Sequence, residues 1–231
     1  MTLSTVLFID LDGVIRHWTG DDSIIEEAHG LPPGALKRVA FAPERLTPAI
    51  TGAVSDERWR ATVVRELRRR HPQANAEGAV AACSSSPGQV DGDVLSLLDR
   101  CTRGLRVVLA TNATSRLDAD LRSLGIHGRF HAVANSSALR VVKPHAEFFA
   151  AALRSVQVTA ADALFVDDTP VNVTTAARLG ITSHLYAGEA GLRLFLEDAG
   201  VVDGGNQVLR SGNAGNPSAI HDHATRDRVQ D

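Results

Sequence analysis

Four short segments of this 231-residue chain hold side chains whose types and spacing can do chemistry. The first is Phe8-Ile9-Asp10-Leu11-Asp12-Gly13-Val14, with two carboxylates two residues apart at the end of an apolar run and Gly13 free to turn sharply. One carboxylate can serve as a nucleophile, and a second, kept protonated by the crowding of like charges, as a general acid. A turn Asp with an incidental neighbour is the plainer reading. The second segment, Ala110-Thr111-Asn112-Ala113-Thr114, offers a hydroxyl and backbone N–H groups where a run ends and a helix opens. That is an anion site, or simply a helix cap by Thr111, Asn112 or Thr114. The third is Lys143-Pro144: Pro144 suits the first turn of a helix, and Lys143 can reach back to an anion as a point charge or remain an ordinary surface lysine. In the fourth, Phe165-Val166-Asp167-Asp168-Thr169-Pro170-Val171-Asn172, adjacent acids are costly unless a cation or hydrogen bonds offset them. Such oxygen donors suit Mg²⁺; a helix cap with a spare carboxylate is the alternative.

The elements that must position these groups follow from the hydrophobic pattern. Val6–Ile9, Val107–Ala110, Ala132–Ala134 and Ala163–Val166 are short continuous apolar runs, with a weaker one from Ile181 to Leu185. Continuous rather than alternating hydrophobicity indicates strands covered on both faces, as in a parallel sheet. Helical spacing over Thr114–Leu124, Ala146–Val156 and Val171–Leu179 separates the later strands, the last stopping at Gly180. The expectation is a doubly wound α/β fold, in which ligands sit at the carboxyl ends of the strands. All four segments would then converge.

From Ile15 to about Val94 no strong strand signal occurs, and Ser23–His29, Pro33–Phe41, Asp56–His71 and Asn75–Cys83 read as helices. The third carries one apolar stripe of Trp59, Val63, Val64 and Leu67. The organisation expected is a core of residues 1–15 and 95–203 with an inserted helical subdomain over 16–94. Residues 88–93 would be the return linker and Val94–Cys101 a helix leading back. Residues 204–231, rich in Gly, Asn, Ser and Asp, read as a disordered tail, and His221-Asp222-His223 within it as solvated rather than metal-binding.

Composition narrows the function classes. Lys plus Arg is 24 against 27 for Asp plus Glu, a net charge of −3, so no global basic field exists to hold nucleic acid. Arg65, Arg68, Arg69 and Arg70 read as a solvated helix face, with Glu66 able to pair with Arg70 one turn on. Cys83 and Cys101 form no CxxC pair and read as buried small residues of a reduced, cytoplasmic protein. Neither a signal peptide nor a membrane span is read. Oligomeric state is not legible.

The ordered set DLDGV, TNAT, KP and VDDTPVN resembles the four motifs of the haloacid dehalogenase superfamily, over Val6 to about Leu196. The long insertion resembles the helical cap of that family's first cap class. The resemblance implies a Mg²⁺-dependent phosphatase of a small phosphorylated metabolite. In it Asp10 is the nucleophile and Asp12 the acid/base. Thr111 and the Asn112 backbone N–H bind phosphoryl oxygens, and Lys143 neutralises charge. Asp168 holds the metal with Asp10 and the backbone carbonyl of Asp12, Asp167 helps directly or through water, and Asn172 orients the loop. The family's dehalogenases lack an acid at the position of Asp12, since halide leaves without a proton. A sugar-phosphate type phosphomutase shares all four motifs, and an idle binding module on the same fold is the rival from another class. Arg16, His17 and Trp18 follow the first motif, and one or more of them are expected to face the leaving group and set specificity, Arg16 or His17 by a polar contact and Trp18 as an apolar wall; otherwise Trp18 anchors the insert.

Overall fold

The computed structural model describes residues 6–18, 20, 22–101 and 104–202. In chain order the core and insert run β1 (Val6–Ile9), β2 (Arg16–His17), α1 (Asp22–Ala28), α2 (Ala35–Ala40), α3 (Pro43–Ile50), α4 (Asp56–Arg70), α5 (Ala76–Ser85) and β3 (Gln89–Val90). Then follow α6 (Gly92–Asp99), β4 (Arg106–Thr111), α7 (Leu117–Ser123), β5 (Ala132–Asn135), α8 (Ser136–Leu139), α9 (Ala146–Ser155), β6 (Ala163–Asp167), α10 (Pro170–Arg178), β7 (Thr182–Leu185) and α11 (Glu189–Asp198).

Five strands form one sheet in the order β5-β4-β1-β6-β7, every pairing parallel. The chain builds outward from β1 to β4 and β5, then crosses back to β6 and β7. Strand order therefore reverses at β1, and ligands bind at such a reversal. The apolar runs are continuous because alternate residues feed two separate cores. Leu7, Ile9, Leu109, Leu164 and Val166 pack with residues of α6, α7 and α11 on one face. Val6, Phe8, Val108, Ala110 and Phe165 pack with Phe148, Phe149 and Ala152 of α9 and Ala176 of α10 on the other. Phe149 stands edge-on between Phe148 and Phe165. The doubly wound α/β reading holds.

The inserted helices bury a third cluster of their own, formed by Leu31, Leu36, Val39, Val63, Leu67, Ala79 and Val80. Ser55 caps α4 by accepting from the Arg58 N–H, which explains the helix start at Asp56. Glu66 pairs with both Arg69 and Arg70.

Several expectations need correction. The stretch from Ile15 to Val94 does contain strands: β2 and β3 pair antiparallel, Arg16 opposite Val90 and His17 opposite Gln89, so both linkers of the insert run through one ribbon. Two residues are too few for hydrophobic periodicity to register. Residues 88–93 are thus not a plain linker but β3 and the start of α6, whose first N–H groups are taken by Asp91. Helix α3, which opens on Pro43, was hidden by Pro48 inside it. Cys83 and Cys101 are half-buried rather than buried, at the rims of the clusters they pack against. Desolvation raises both thiols, Cys101 to about 11, so neither is a ready nucleophile. The expectations for 204–231 and for His221-Asp222-His223 lie outside the described residues. No helix among the described residues is long and apolar enough to cross a membrane.

Candidate active site

Asp10 follows β1 directly, and its backbone N–H continues the sheet by donating to the Val166 carbonyl at 2.9 Å. Its side chain is buried, and its Oδ1 takes the Leu11 N–H at 2.8 Å and the Lys143 ammonium at 2.9 Å. Both contacts fall on one oxygen, which leaves Oδ2 for a reacting atom. Lys143 is 4% exposed and meets three acceptors: Asp10, Asp167 Oδ2 at 2.7 Å and the Ala110 carbonyl at 2.8 Å. An ammonium has three donors, so this one is fully spent. Asn112 fixes the lysine's backbone, its amide giving to the Lys143 carbonyl (2.9 Å) and taking from the Lys143 N–H (2.8 Å).

Asp167 is completely buried. Its Oδ1 takes the Thr169 N–H at 2.8 Å, and the Asn172 amide donates to both of its oxygens at 3.0 and 3.1 Å. Asn172 therefore holds Asp167, and Asp167 holds Lys143. Asp168 is exposed, with Oδ1 accepting from the Thr169 hydroxyl at 3.1 Å. Its Oδ2 lies against the backbone of Gly13, which has φ +81°; a Cβ there would overlap that oxygen. Gly13 thus does two jobs, turning the chain and admitting the Asp168 carboxylate.

Oxygens of Asp10, Asp167 and Asp168 lie within 4.8 Å of one another. An all-oxygen set of this kind fits a hard divalent cation, with Asp10 and Asp168 the less occupied donors and Asp167 already bound to neutral and cationic hydrogen-bond donors. Burial pushes the Asp10 carboxyl up to about 7; Lys143 pulls against that shift, and Asp167 adds to it. A bound cation would favour the ionised form a nucleophile needs.

Thr111 ends β4 and is buried at the floor of an open pocket of about 300 Å³. The pocket is lined by Asp10, Asp12, Gly13, Thr111, Asn112, Lys143, Asp168, Thr169 and Asn172, so all four segments meet as the sheet topology requires. Neither Thr111 nor Asn112 caps α7, which starts later, at Leu117. Two residues were not read from the sequence as part of the site. Ser136, fully buried, accepts from the Ala113 N–H at 3.1 Å and donates to the Ile50 carbonyl at 2.6 Å. Asp56 accepts from the Thr114 hydroxyl at 2.9 Å, and its N–H donates to Ser115. Together they tie the loop after β4 to the inserted helices. Ser136 follows a weak edge strand and gave no signal; Asp56 read as a helix start.

The linker residues are arranged differently from the expectation. None of Arg16, His17 and Trp18 lines the pocket, and neither does any other residue of the insert. Arg16, buried, grips Asp12 through Nε to Oδ1 (2.7 Å) and Nη2 to Oδ2 (2.9 Å). The exposed Trp18 donates from Nε1 to Asp12 Oδ1 at 2.8 Å and lays its ring 4.5 Å from the Arg16 guanidinium. His17 faces away, 3.4 Å from Asp91 Oδ2. Asp12 is thereby held from the linker side, while its side chain still borders the pocket.

A family model described as haloacid dehalogenase-like hydrolase matches residues 5–180. The chain belongs to that family. No curated protein matches the sequence. Among solved structures, a haloacid dehalogenase family enzyme of Bacteroides thetaiotaomicron in complex with magnesium and inorganic phosphate is similar at 17% identity and TM-score 0.63, covering 79% of this chain and 94% of that one. A predicted family hydrolase of Porphyromonas gingivalis is similar at 21% identity and TM-score 0.62, covering 79% and 91%. The L-2-haloacid dehalogenase of Xanthobacter autotrophicus with chloropropionic acid covalently bound is similar at 18% identity and TM-score 0.56, covering 86% and 84%. At these identities the likeness is one of fold. This haloacid dehalogenase-like hydrolase shares that fold both with a family enzyme that holds magnesium and inorganic phosphate and with a dehalogenase, so its own side chains must distinguish the possible chemistries.

The tightness around Gly13 yields a test of the acidic cluster. Gly13→Ala should displace Asp168 and add left-handed backbone strain of roughly 1–2 kcal/mol. Displacements of this kind cost about 100-fold in rate. A loss of divalent-cation binding by calorimetry, with the protein still folded, is the expected result; unchanged affinity would remove Asp168 from the cation site.

Proposed function

We propose that this protein is a Mg²⁺-dependent phosphomonoesterase that hydrolyses a small phosphorylated metabolite through an aspartyl phosphate on Asp10. The observation that carries the reading is a second carboxylate, Asp12, bordering the same pocket as the buried Asp10. Displacing halide from carbon needs no proton donor, whereas expelling an alkoxide from phosphorus does. The haloacid reading leaves Asp12 without a task.

In the proposed reaction Asp10 Oδ2 attacks phosphorus in line with the ester oxygen. The P–O bond to the leaving group breaks as Asp12 gives that oxygen its proton. Asp12 then takes a proton from water, the water oxygen attacks phosphorus, and the bond to Asp10 breaks, releasing inorganic phosphate and restoring the Asp10 carboxylate and the protonated Asp12. The Thr111 hydroxyl and the Asn112 backbone N–H cradle phosphoryl oxygens at the strand end. Lys143 keeps Asp10 oriented and offsets the charge gathered beside it. Asp10, Asp168 and the Asp12 backbone carbonyl would hold Mg²⁺, with Asp167 supporting from behind. When bound, the ion neutralises charge on the transferring group. The two unpaired cysteines fit a reducing, cytoplasmic setting. An open pocket of about 300 Å³ suits a small ester, and the low net charge offers nothing to nucleic acid.

The test is a panel of phosphorylated metabolites and 2-haloacids assayed with and without Mg²⁺. Phosphate release that stops on chelation and returns with Mg²⁺, without any added bisphosphate, is expected; halide release in its place, or isomerisation that needs a bisphosphate, would sink the reading. Metal binding has a second readout. Asp10 is protonated up to about pH 7 in the folded metal-free protein but only to about 3.8 when unfolded. The folded state then holds the extra proton, so this group's contribution to stability falls as pH rises across that window. Mg²⁺ must displace the proton at pH 5 but not at pH 8. Its stabilisation should therefore be clearly larger at pH 8 by differential scanning calorimetry. Equal shifts at both pH values would place the ion away from Asp10.

A further inference from the structure

A catalytic acid that must hand a proton to the leaving group needs one oxygen facing it. In this structure both Asp12 oxygens accept from the linker side, Oδ1 from Arg16 Nε and Trp18 Nε1 and Oδ2 from Arg16 Nη2. A carboxylate clamped on both oxygens by a guanidinium does not readily carry a proton, so Asp12 has to loosen this grip to act as the acid. Its departure would take from the Arg16 guanidinium, which is 4% exposed, both of its charge-assisted hydrogen bonds, an unfavourable state for a buried cation unless another carboxylate takes them up.

The protein holds an alternative partner in waiting. Arg16 Nη1 is buried and has no hydrogen bond, and 3.6 Å from it lies Oδ2 of Asp120 on α7. Asp120 Oδ1 is engaged by Arg116 Nε at 2.8 Å, so the oxygen turned to Arg16 is the one left over. The stem of Arg16 cannot travel. Its N–H donates to the Leu11 carbonyl at 2.7 Å, its carbonyl accepts from Gly13 at 2.9 Å, and its Cγ and Cδ lie so close to Gly88 that a Cβ there would sit 2.9 and 3.1 Å away. Only the guanidinium end can pivot, and it has a carboxylate on each side.

We propose that Asp120 is a positioning residue, taking the Arg16 guanidinium when Asp12 turns to the reacting group and returning it afterwards, so that the acid/base is released and recaptured in each turnover. This rests on the phosphomonoesterase reading above. The step that needs Asp12 most is hydrolysis of the aspartyl phosphate, because water must be deprotonated whatever the substrate was. Formation of that intermediate from p-nitrophenyl phosphate needs little acid help.

The experiment is rapid-quench kinetics with p-nitrophenyl phosphate and Mg²⁺ on wild type, Asp120→Asn, Asp120→Glu and Arg116→Met. Asp120→Asn should keep the nitrophenol burst within about twofold of wild type and slow hydrolysis of the phospho-enzyme about tenfold or more, a share of what a general base contributes. Phospho-enzyme then accumulates. Asp120→Glu, which keeps the charge, should restore the second step. Arg116→Met removes the other ion pair of Asp120 and should leave the partition between steps as in wild type. The proposal is overturned if Asp120→Asn hydrolyses its intermediate at the wild-type rate, if folded Asp120→Glu restores nothing, or if Arg116→Met gives the same accumulation, which would make Asp120 only an anchor of α7. If wild type itself neither forms a phospho-enzyme nor releases phosphate, the functional reading fails and this proposal with it. A wild type that turns over beside an unaffected Asp120→Asn removes only the role of Asp120.

Discussion

Asp10→Asn should leave less than about 1% of wild-type turnover, on the scale of losses when a covalent catalytic group is removed. An amide oxygen still accepts from the Leu11 N–H and from Lys143, so the local geometry survives. What is lost is the nucleophile: an amide cannot form and release an acyl phosphate. Stability should move the other way. Burial raises the Asp10 carboxyl, which means that ionising it opposes folding at neutral pH. The neutral amide avoids that cost, and Lys143 keeps Asp167 as its counter-charge. Without metal, the variant should therefore melt no lower than wild type at pH 8. Inactivity together with a lowered Tm would mean that misfolding, rather than lost chemistry, explains the result.

Lys143→Met is expected to damage both activity and stability. The ammonium stands between two buried carboxylates and a strand-end carbonyl, and methionine fills the volume while supplying no charge and no donor. Removing one partner of a buried ion pair costs about 3–5 kcal/mol. For a chain of this length that corresponds to a fall in Tm of roughly 6–20 °C. The loss should grow with pH. Lys143 pulls the Asp10 carboxyl down, so without it Asp10 holds its proton to higher pH, and the folded state is penalised more for each step toward ionisation. Comparing Tm at pH 5 and pH 8 in the absence of metal checks this: a deficit equal at both pH values would assign the damage to packing alone. Phosphate release should fall by about three orders of magnitude, in line with the loss of preorganised charge beside a phosphoryl group.

The parts of this architecture that were legible in the sequence share a physical cause. Val6–Ile9 and Ala163–Val166 announced themselves because both sheet faces are covered, which forces continuous apolar runs. Asp10, Thr111, Lys143 and Asp168 were found because they follow such runs or open the helices after them, and the parallel topology brings those ends together. What stayed hidden depends on contacts between distant segments or on elements too short to have a period. β2 and β3 have two residues each, and their pairing joins residues far apart in sequence. Pro48 inside α3 argued against the helix that surrounds it. Arg16 looked like a substrate contact, since nothing in its spacing reveals that the Gly13 turn folds it back onto Asp12. The tie between Asp56 and Thr114 likewise exists only once the insert is docked.

In the proposed reaction phosphorus is bonded to Asp10 during turnover, and every other residue role depends on that bond. The most direct measurement is acid quench of the wild-type enzyme within the first turnover of a phosphate ester in oxygen-labelled water, followed by peptide mass spectrometry and analysis of the released phosphate. A phosphoryl group is expected on the peptide spanning Val6 to Val14, lost from the Asp10→Asn variant, with the water label in inorganic phosphate and none in the Asp10 carboxylate. Product formed with Asp10 never modified, or label carried into the Asp10 carboxylate as expected for a carbon ester cleaved at its carbonyl, would contradict it.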